Sequence, residues 1–179
     1  MTILFRKFDP APLDAPRLPL DLIPRSSGLS DIQHKVSRTQ WNHVKNQTFE
    51  KAGHRCEICN GRGPTHPVEC HEKWALSEDP HSQKLLGMVS LCPKCHEVKH
   101  ITQAEENGRY EEVLYHLAWV NGWDTITATE YLMDAYNQQD YRSEFEWKID
   151  ISILPRLILP HEEGRKRRVE EIIRSGDIF

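Results

Sequence analysis

The spacing of hydrophobic residues along the chain predicts three helices in its middle part. A stripe of apolar residues at helical spacing covers residues 39–52, and Gly53 stands where that helix would end. Apolar residues then recur at i, i+3, i+4, i+7 and i+8 over residues 110–118, which predicts a second helix that ends at Gly122. A capping-box pattern begins a third helix at Thr127.

Elsewhere the pattern changes to that of strands. Residues 68–72 and 85–91 predict the two strands of a hairpin, which are joined by a polar loop over residues 74–84. Apolar and polar residues alternate over residues 145–153, and this alternation predicts a half-buried strand. Such a strand needs a partner, either within the domain or in a second copy of the chain, so the pattern admits a homodimer.

The two ends of the chain differ from this central part. Five prolines within residues 1–30 exclude a helix and predict an arm, part of which docks on the domain through its apolar residues. Near the other end, residues 162–174 predict a last helix. The chain is thus predicted to comprise the arm, a core at residues 38–105 and a helical extension with one strand at residues 106–179, packed on the core as a single domain.

Composition and charge narrow the class of protein. The chain has 179 residues, of which 38% are hydrophobic and 28% charged, as in one domain with a modest core. No apolar run approaches the roughly 18–20 residues of a membrane span, and the start is charged too early for a secretory signal, so we expect a cytoplasmic protein. The net charge of −4 does not favour nucleic-acid binding. The dense basic cluster at residues 165–168 is either a solvated helix face or a contact for DNA.

Four of the five cysteines form two Cys-x-x-Cys pairs, Cys56 with Cys59 and Cys92 with Cys95. This spacing lets two thiolates bind one zinc ion, and four thiolates make a closed site that serves folding rather than catalysis. Cysteines arranged in this way favour zinc in a reducing compartment over a set of disulfides. The remaining cysteine, Cys70, is expected to be a small buried strand residue.

A second group of candidate metal ligands is formed by histidines. If the chain turns helical after Pro93, His96 and His100 lie one turn apart, and their imidazoles point the same way. His71, on the first predicted hairpin strand, is available opposite them, so the three histidines predict a hydrolytic metal site. Five further histidines have no matching spacing and are expected to be surface or packing residues: His54, His66, His81, His116 and His161.

In these features the chain resembles the HNH endonucleases of the ββα-metal class over residues 50–105. The segments that carry the resemblance are Cys56-x-x-Cys59, Val68-Glu69-Cys70-His71-Glu72 and Leu91-Cys92-x-x-Cys95-His96-x-x-x-His100. The resemblance implies a zinc-stapled hairpin and helix that present a divalent cation to a phosphodiester. Together with the predicted flanking helices and the C-terminal strand and helix, the expected fold class is α+β. The implied cofactors are a structural Zn²⁺ and a catalytic Mg²⁺, Mn²⁺ or Ni²⁺.

The resemblance also implies that a histidine on the hairpin activates water, and two assignments of roles are open. In the first, His71 is the base, while His96 and His100 hold the metal together with Glu69 or Glu72. In the second, His71 is a metal ligand and Glu72 is the base. Adjacent side chains on a strand face opposite ways, so His71 and Glu72 do not both face the helix unless the strand bulges. We favour His71 as the base, because an imidazole accepts a proton near neutral pH.

The chain departs from the family at the central asparagine, where Gly87 stands. The favoured function is a metal-dependent DNA endonuclease of a phage, mobile element or defence system, with His71, Glu72 and His96 as catalytic candidates. Gly87 and the acidic net charge motivate a different class, a zinc-bound module that binds nucleic acid or protein without cutting. A weaker third interpretation is a redox or zinc-sensing protein built on the cysteine pairs.

Overall fold

A computed structural model describes residues 10–29 and 31–158 of the chain. Within these residues, three strands form one sheet in the order β1-β2-β3. The strands are β1 (Glu69–Glu78), β2 (His81–Leu91) and β3 (Lys148–Asp150). The helices are α1 (Arg38–Lys51), α2 (Pro93–Lys99), α3 (Ile101–Glu106), α4 (Tyr110–Asn121), α5 (Thr125–Arg142) and α6 (Leu154–Ile158). The fold class is therefore α+β, as predicted, while the basic cluster at residues 165–168 and the predicted helix at 162–174 lie outside the described residues.

The antiparallel hairpin of β1 and β2 is longer than the sequence predicts. The prediction of a polar loop at residues 74–84 is wrong, because the two strands stay paired up to a turn at residues 79–80. The polar composition of this stretch hides its burial: Trp74 is buried, and so is Gln83, whose Nε2 donates to the Leu29 carbonyl at 2.7 Å. The amide N–H of this strand residue thus finds an acceptor inside the fold, while its Oε1 is buried without a partner among the described residues.

Side-chain caps determine where two of the helices begin. The Ser37 hydroxyl accepts from the Gln40 N–H at 3.2 Å, and the Gln40 side chain accepts from the Ser37 N–H at 2.9 Å, which together form a capping box before α1. Helix α5 begins earlier than predicted, because its cap is Asp124, whose carboxylate accepts from the Thr127 N–H at 2.7 Å. Helix α4 ends before Gly122, which adopts a left-handed conformation, as predicted.

The C-terminal strand is shorter than predicted. Of the expected strand over residues 145–153, three residues pair as β3, in parallel with β2. Ile149, expected on the buried face, is 38% exposed. Helix α6 begins at Leu154 and includes Pro155, which the first turn tolerates because the N–H groups there have no intrahelical acceptor. Since β3 pairs within the chain, the homodimer stays a prediction.

Two clusters of buried side chains hold these elements together. The larger joins the cysteine pairs to α2, α4 and α5, and the smaller packs Trp74 and Leu85 of the hairpin beside α6. The described part of the N-terminal arm belongs to both. Leu18, for example, is fully buried in the larger cluster, and its N–H donates to the Asn121 side chain at 3.1 Å. The arm residues 10–29 therefore lie on the domain.

The described helices include none that is both long and apolar enough to cross a membrane. The predicted boundary between core and extension, between residues 105 and 106, falls inside α3. Cytoplasmic location and the division into arm, core and extension remain predictions.

Candidate metal centres

The four paired cysteines converge beside the start of α2. The sulfur atoms of Cys56, Cys59, Cys92 and Cys95 all lie within 4.8 Å of one another. Cys92 is the N-cap residue of α2, and Cys95 lies in the first turn of that helix. The predicted spacing thus brings both pairs to one point, and the cluster is compatible with the structural zinc site that the sequence predicts.

Backbone hydrogen bonds bring the first cysteine pair to the second. The Glu57 N–H donates to the Ser90 carbonyl at 2.8 Å, and the Ser90 N–H donates to the Glu57 carboxylate at 2.7 Å. Because Ser90 lies near the end of β2, these bonds fasten the loop of the first pair beside α2. The Gly61 N–H lies 3.4 Å from the Cys59 sulfur, and a Cβ at Gly61 would come within 3.2 Å of that sulfur. Glycine therefore lets the backbone N–H approach the sulfur.

The chemistry of this cluster suits zinc. The sulfurs of Cys59 and Cys92 are 3.6 Å apart, too far for a disulfide but close to the roughly 3.8 Å between two sulfurs that each lie about 2.3 Å from one tetrahedral zinc. Hydrogen bonding within the cluster lowers the pKa of Cys92 and that of Cys56, the latter to about 6, and raises the pKa of Cys59 and Cys95. Thiolates are the form that binds zinc, and four of them leave no position open for a substrate.

His116 of α4 is a partner of the cysteine cluster that the sequence does not indicate. Its Nε2 lies 3.2 Å from the Cys95 sulfur, and its ring stacks on Trp119 with 5.5 Å between centroids. With a proton on Nε2, His116 donates to the sulfur, and such a bond orients a ligand and offsets part of its charge. Sequence analysis placed His116 among packing residues, because no short spacing connects it to a cysteine.

Three histidines form a second cluster, in which His71 of β1 meets His96 and His100 of α2. Their candidate ligand atoms all lie within 4.8 Å of one another, and the Nε2 atoms of His96 and His100 are 3.2 Å apart. The three rings contact one another edge to face, with centroids 4.6 to 5.2 Å apart. Because α2 is helical up to its cap at His100, the predicted i, i+4 spacing is what aligns the two helical rings.

The histidine cluster fits an open metal site. The 3.2 Å between the two Nε2 atoms is the spacing expected of two ligands about 2.1 Å from one ion. Burial, followed by the neighbouring His100 and His96, lowers the pKa of His71 to about 3. The pKa of His100 is also lowered, first by desolvation and then by His96, although this side chain is the most exposed of the three. Neutral imidazoles are the form that binds metals, and the exposed side leaves room for water or substrate.

Glu69 completes this cluster from the start of β1. Its carboxylate accepts from Nδ1 of His96 at 2.6 Å. That bond places the proton on Nδ1 and leaves the lone pair of Nε2 facing His100. A carboxylate that holds a ligating histidine in this way fixes the orientation and the tautomer of the ring. The sequence left Glu69 open as a metal ligand, whereas in this geometry it orients His96.

Glu72 does not join the histidines. Its side chain is buried, with 8% of the residue exposed, and its carboxylate accepts from the Ile32 N–H at 3.1 Å. Burial raises the pKa of this carboxyl, and the Ile32 N–H partly opposes that shift. The irregularity in the hairpin register falls between Lys73 and Trp74, so His71 and Glu72 keep the opposite directions of adjacent strand residues. The structure thus places Glu72 with Ile32 and His71 with the helix.

Comparisons of the chain with models of protein families, with curated proteins and with solved structures returned no match. The resemblance to HNH endonucleases therefore rests on the sequence motifs quoted above.

The Glu69 contact yields a first prediction. We expect Glu69→Ala to weaken binding of a divalent cation at the histidines by about 10- to 100-fold, because His96 loses the partner that orients it. Titration of the zinc-loaded protein with Ni²⁺, followed calorimetrically, measures this affinity. Glu69→Gln is the matched variant, since its side-chain carbonyl still accepts from Nδ1, and we expect it to recover part of the loss. Unchanged affinity in Glu69→Ala would contradict the orienting role.

Proposed function

We propose that the protein is a metal-dependent endonuclease of the HNH type that hydrolyses phosphodiester bonds in DNA. The observation that carries the proposal is the meeting of His71, from the hairpin, with His96 and His100, from the helix that the cysteine cluster anchors. A four-thiolate site is closed to substrate, so its role is to hold the loop of Cys56 and Cys59 at the start of α2. The open histidine site on the same scaffold is then the place for chemistry.

His96 and His100 would hold a divalent cation, and the Glu69 carboxylate would orient the His96 ring through its Nδ1. A cation bound there would stabilise the negative charge that grows on the phosphate in the transition state. Imidazole nitrogens suit Ni²⁺ better than Mg²⁺, which prefers oxygen ligands. Among the predicted cations, Ni²⁺ therefore fits these ligands best.

We assign the role of base to His71. Its ring lies in the cluster, edge to face with that of His96 at 5.2 Å between centroids, and a neutral imidazole has one ring nitrogen that can take a proton from water. The other candidate, Glu72, is hydrogen-bonded to the Ile32 backbone. This assignment separates His71 from the two ligands of α2, and variants of His71 and His96 test it.

Plasmid nicking tests the proposed function directly. The zinc-loaded protein is incubated with supercoiled plasmid and Mg²⁺, Mn²⁺ or Ni²⁺, and a matched sample receives excess EDTA after the zinc content has been measured. We expect nicked or linear plasmid with at least one cation and none with EDTA, because the open site needs its ion for activity. Folded, zinc-loaded protein that cuts with none of the three cations would contradict the endonuclease proposal.

A second candidate function is a zinc-bound module that binds nucleic acid or protein without catalysis. It is favoured by Gly87, which pairs with Lys73 in the hairpin and offers no side chain where the HNH family has an asparagine. Under this proposal the protein binds its partner equally well with and without added divalent cation, and His96→Ala leaves binding unchanged. The nicking assay and a binding assay on the same protein distinguish the two functions.

A further inference from the structure

A groove leads along the hairpin to the histidine cluster. It consists of three adjoining cavities, the largest of which has about 660 Å³ and lies between α1, the hairpin and α6. This cavity shares Lys73 with a second of about 410 Å³, and the second shares Lys99 with a third of about 310 Å³. The third is lined by His71 and His100. Each cavity shares lining residues with the next, and the three together are here called the hairpin groove.

Basic side chains converge at the wide end of the hairpin groove. Lys51 of α1, Lys73 of β1 and Arg156 of α6 all line the largest cavity, and all three are exposed. Within residues 10–29 and 31–158, none of them has an ion pair or a hydrogen-bond partner for its charged group. In a chain with a net charge of −4, three cations without an ion pair on one concave surface form a local concentration of positive charge.

The acidic residues of the groove offset part of this charge. Glu50 and Glu57 line the largest cavity together with the three cations, so three positive and two negative groups leave one net positive charge there. A hydrogen bond from the Ser90 N–H holds the Glu57 carboxylate in place but does not remove its charge. In the second and third cavities, Asp21 forms an ion pair with Lys99. The wide end of the groove is therefore where an anion is favoured.

An irregularity in the hairpin shapes the middle of the groove. Lys73 pairs with Gly87 and Trp74 with Leu85, so one residue of β2 between them, Leu86, has no partner and forms a bulge. Gly87 has a φ of 150°, which side-chain-bearing residues rarely adopt, and a Cβ there would meet no atom within 4 Å. Gly87 therefore permits the bulge and leaves the surface opposite Lys73 open.

We propose that the hairpin groove binds the phosphate backbone of one strand of DNA, with Lys51, Lys73 and Arg156 contacting phosphates. The proposal rests on the endonuclease function, for which it names the path of the substrate. Lys73 is two residues from His71 on one strand, about 7 Å away at a rise of about 3.3 Å per residue, so a strand held by Lys73 passes close to the histidines. Contacts to phosphates position a substrate and carry no sequence preference.

The test compares a variant that lacks the three cations with a control variant that loses three positive charges elsewhere on the surface. The groove variant combines Lys51→Gln, Lys73→Gln and Arg156→Gln. The control variant combines three exposed cations that line none of these cavities, Lys35→Gln, Arg38→Gln and Lys148→Gln. Fluorescence anisotropy follows binding of a labelled duplex over a series of salt concentrations, without added divalent cation so that no cleavage occurs. Zinc content and circular dichroism check that each variant folds.

We expect the groove variant to lose affinity and the slope of log K against log salt concentration to fall in magnitude by about 2 to 3, since each phosphate contact contributes about 0.9. The control variant should keep the wild-type slope. The single variant Lys73→Gln should reduce the slope by about 0.9, which gives an independent measure if the triple variant folds poorly.

The outcomes separate this proposal from the endonuclease function. Equal loss of slope in the control variant, an unchanged slope in the groove variant, or no duplex binding by the wild type would each overturn the groove. A wild type that binds DNA through the groove without nicking it would support DNA binding in the groove and contradict the endonuclease function. Nicking by the wild type, together with an unchanged slope in the groove variant, would support the endonuclease function and contradict DNA binding in the groove.

Discussion

Cys92→Ser is expected to unfold the protein. This substitution removes one thiolate from a closed four-sulfur site, and the free energy of binding a structural zinc ion is on the order of 10 kcal/mol or more at neutral pH. That amount rivals the whole stability of a typical domain, about 5–15 kcal/mol. Cys92 is 5% exposed and belongs to the larger buried cluster, so the loss reaches the core. Zinc content per chain and the loss of far-ultraviolet circular dichroism measure the effect.

Two features make this substitution specific for the metal. Cys92 is also the N-cap residue of α2, and serine is among the best N-cap residues, so the start of the helix is not what the substitution removes. Cys70→Ser is the matched control, because Cys70 lies half-buried on β1, outside the four-cysteine cluster. We expect Cys70→Ser to keep its zinc and its fold. A folded Cys92→Ser protein with one tightly bound zinc would show that the cysteines are not the zinc site.

His71→Ala is expected to lower plasmid nicking by a factor of at least about 10² while the fold and the cysteine-bound zinc survive. His71 sits in a cluster that is open to solvent on the side of His100, so its removal leaves the buried core intact. His96→Ala should also keep the zinc, but it should weaken activation by the added cation, because it removes a ligand rather than the base. Zinc content, circular dichroism and nicking across a cation titration are measured on both variants.

The control for these variants is His34→Ala. The His34 side chain is 79% exposed and lies outside the histidine cluster. It should nick at the wild-type rate. Full nicking by folded His71→Ala protein would rule out a catalytic role for His71. If His71→Ala instead needs as much extra cation as His96→Ala does, His71 is a ligand and the base assignment is wrong. Loss of the tightly bound zinc would mean that the ligands are divided wrongly between the two sites.

Local spacing in the sequence was sufficient to find the four clustered cysteines and the two histidines of α2. A Cys-x-x-Cys pair binds one ion from within a single turn, and His96 and His100 share a helix face whenever that segment is helical. The end of α4 could also be predicted from a short stretch of sequence, since one left-handed residue, Gly122, ends the helix. These features depend on residues a few positions apart, so the order of residue types alone could reveal them.

Only the tertiary structure decided which residues support those ligands. His116 reaches Cys95 across a separation of 21 residues, and Glu72 binds the Ile32 backbone across 40. Periodicity describes the face of a residue's own element, but it does not say which other element packs there, and long-range contacts depend on that choice. For the same reason the sequence missed the full hairpin, in which the buried Gln83 donates to the distant Leu29 carbonyl. The hairpin groove likewise exists only because α1, β1 and α6 bring their cations to one surface.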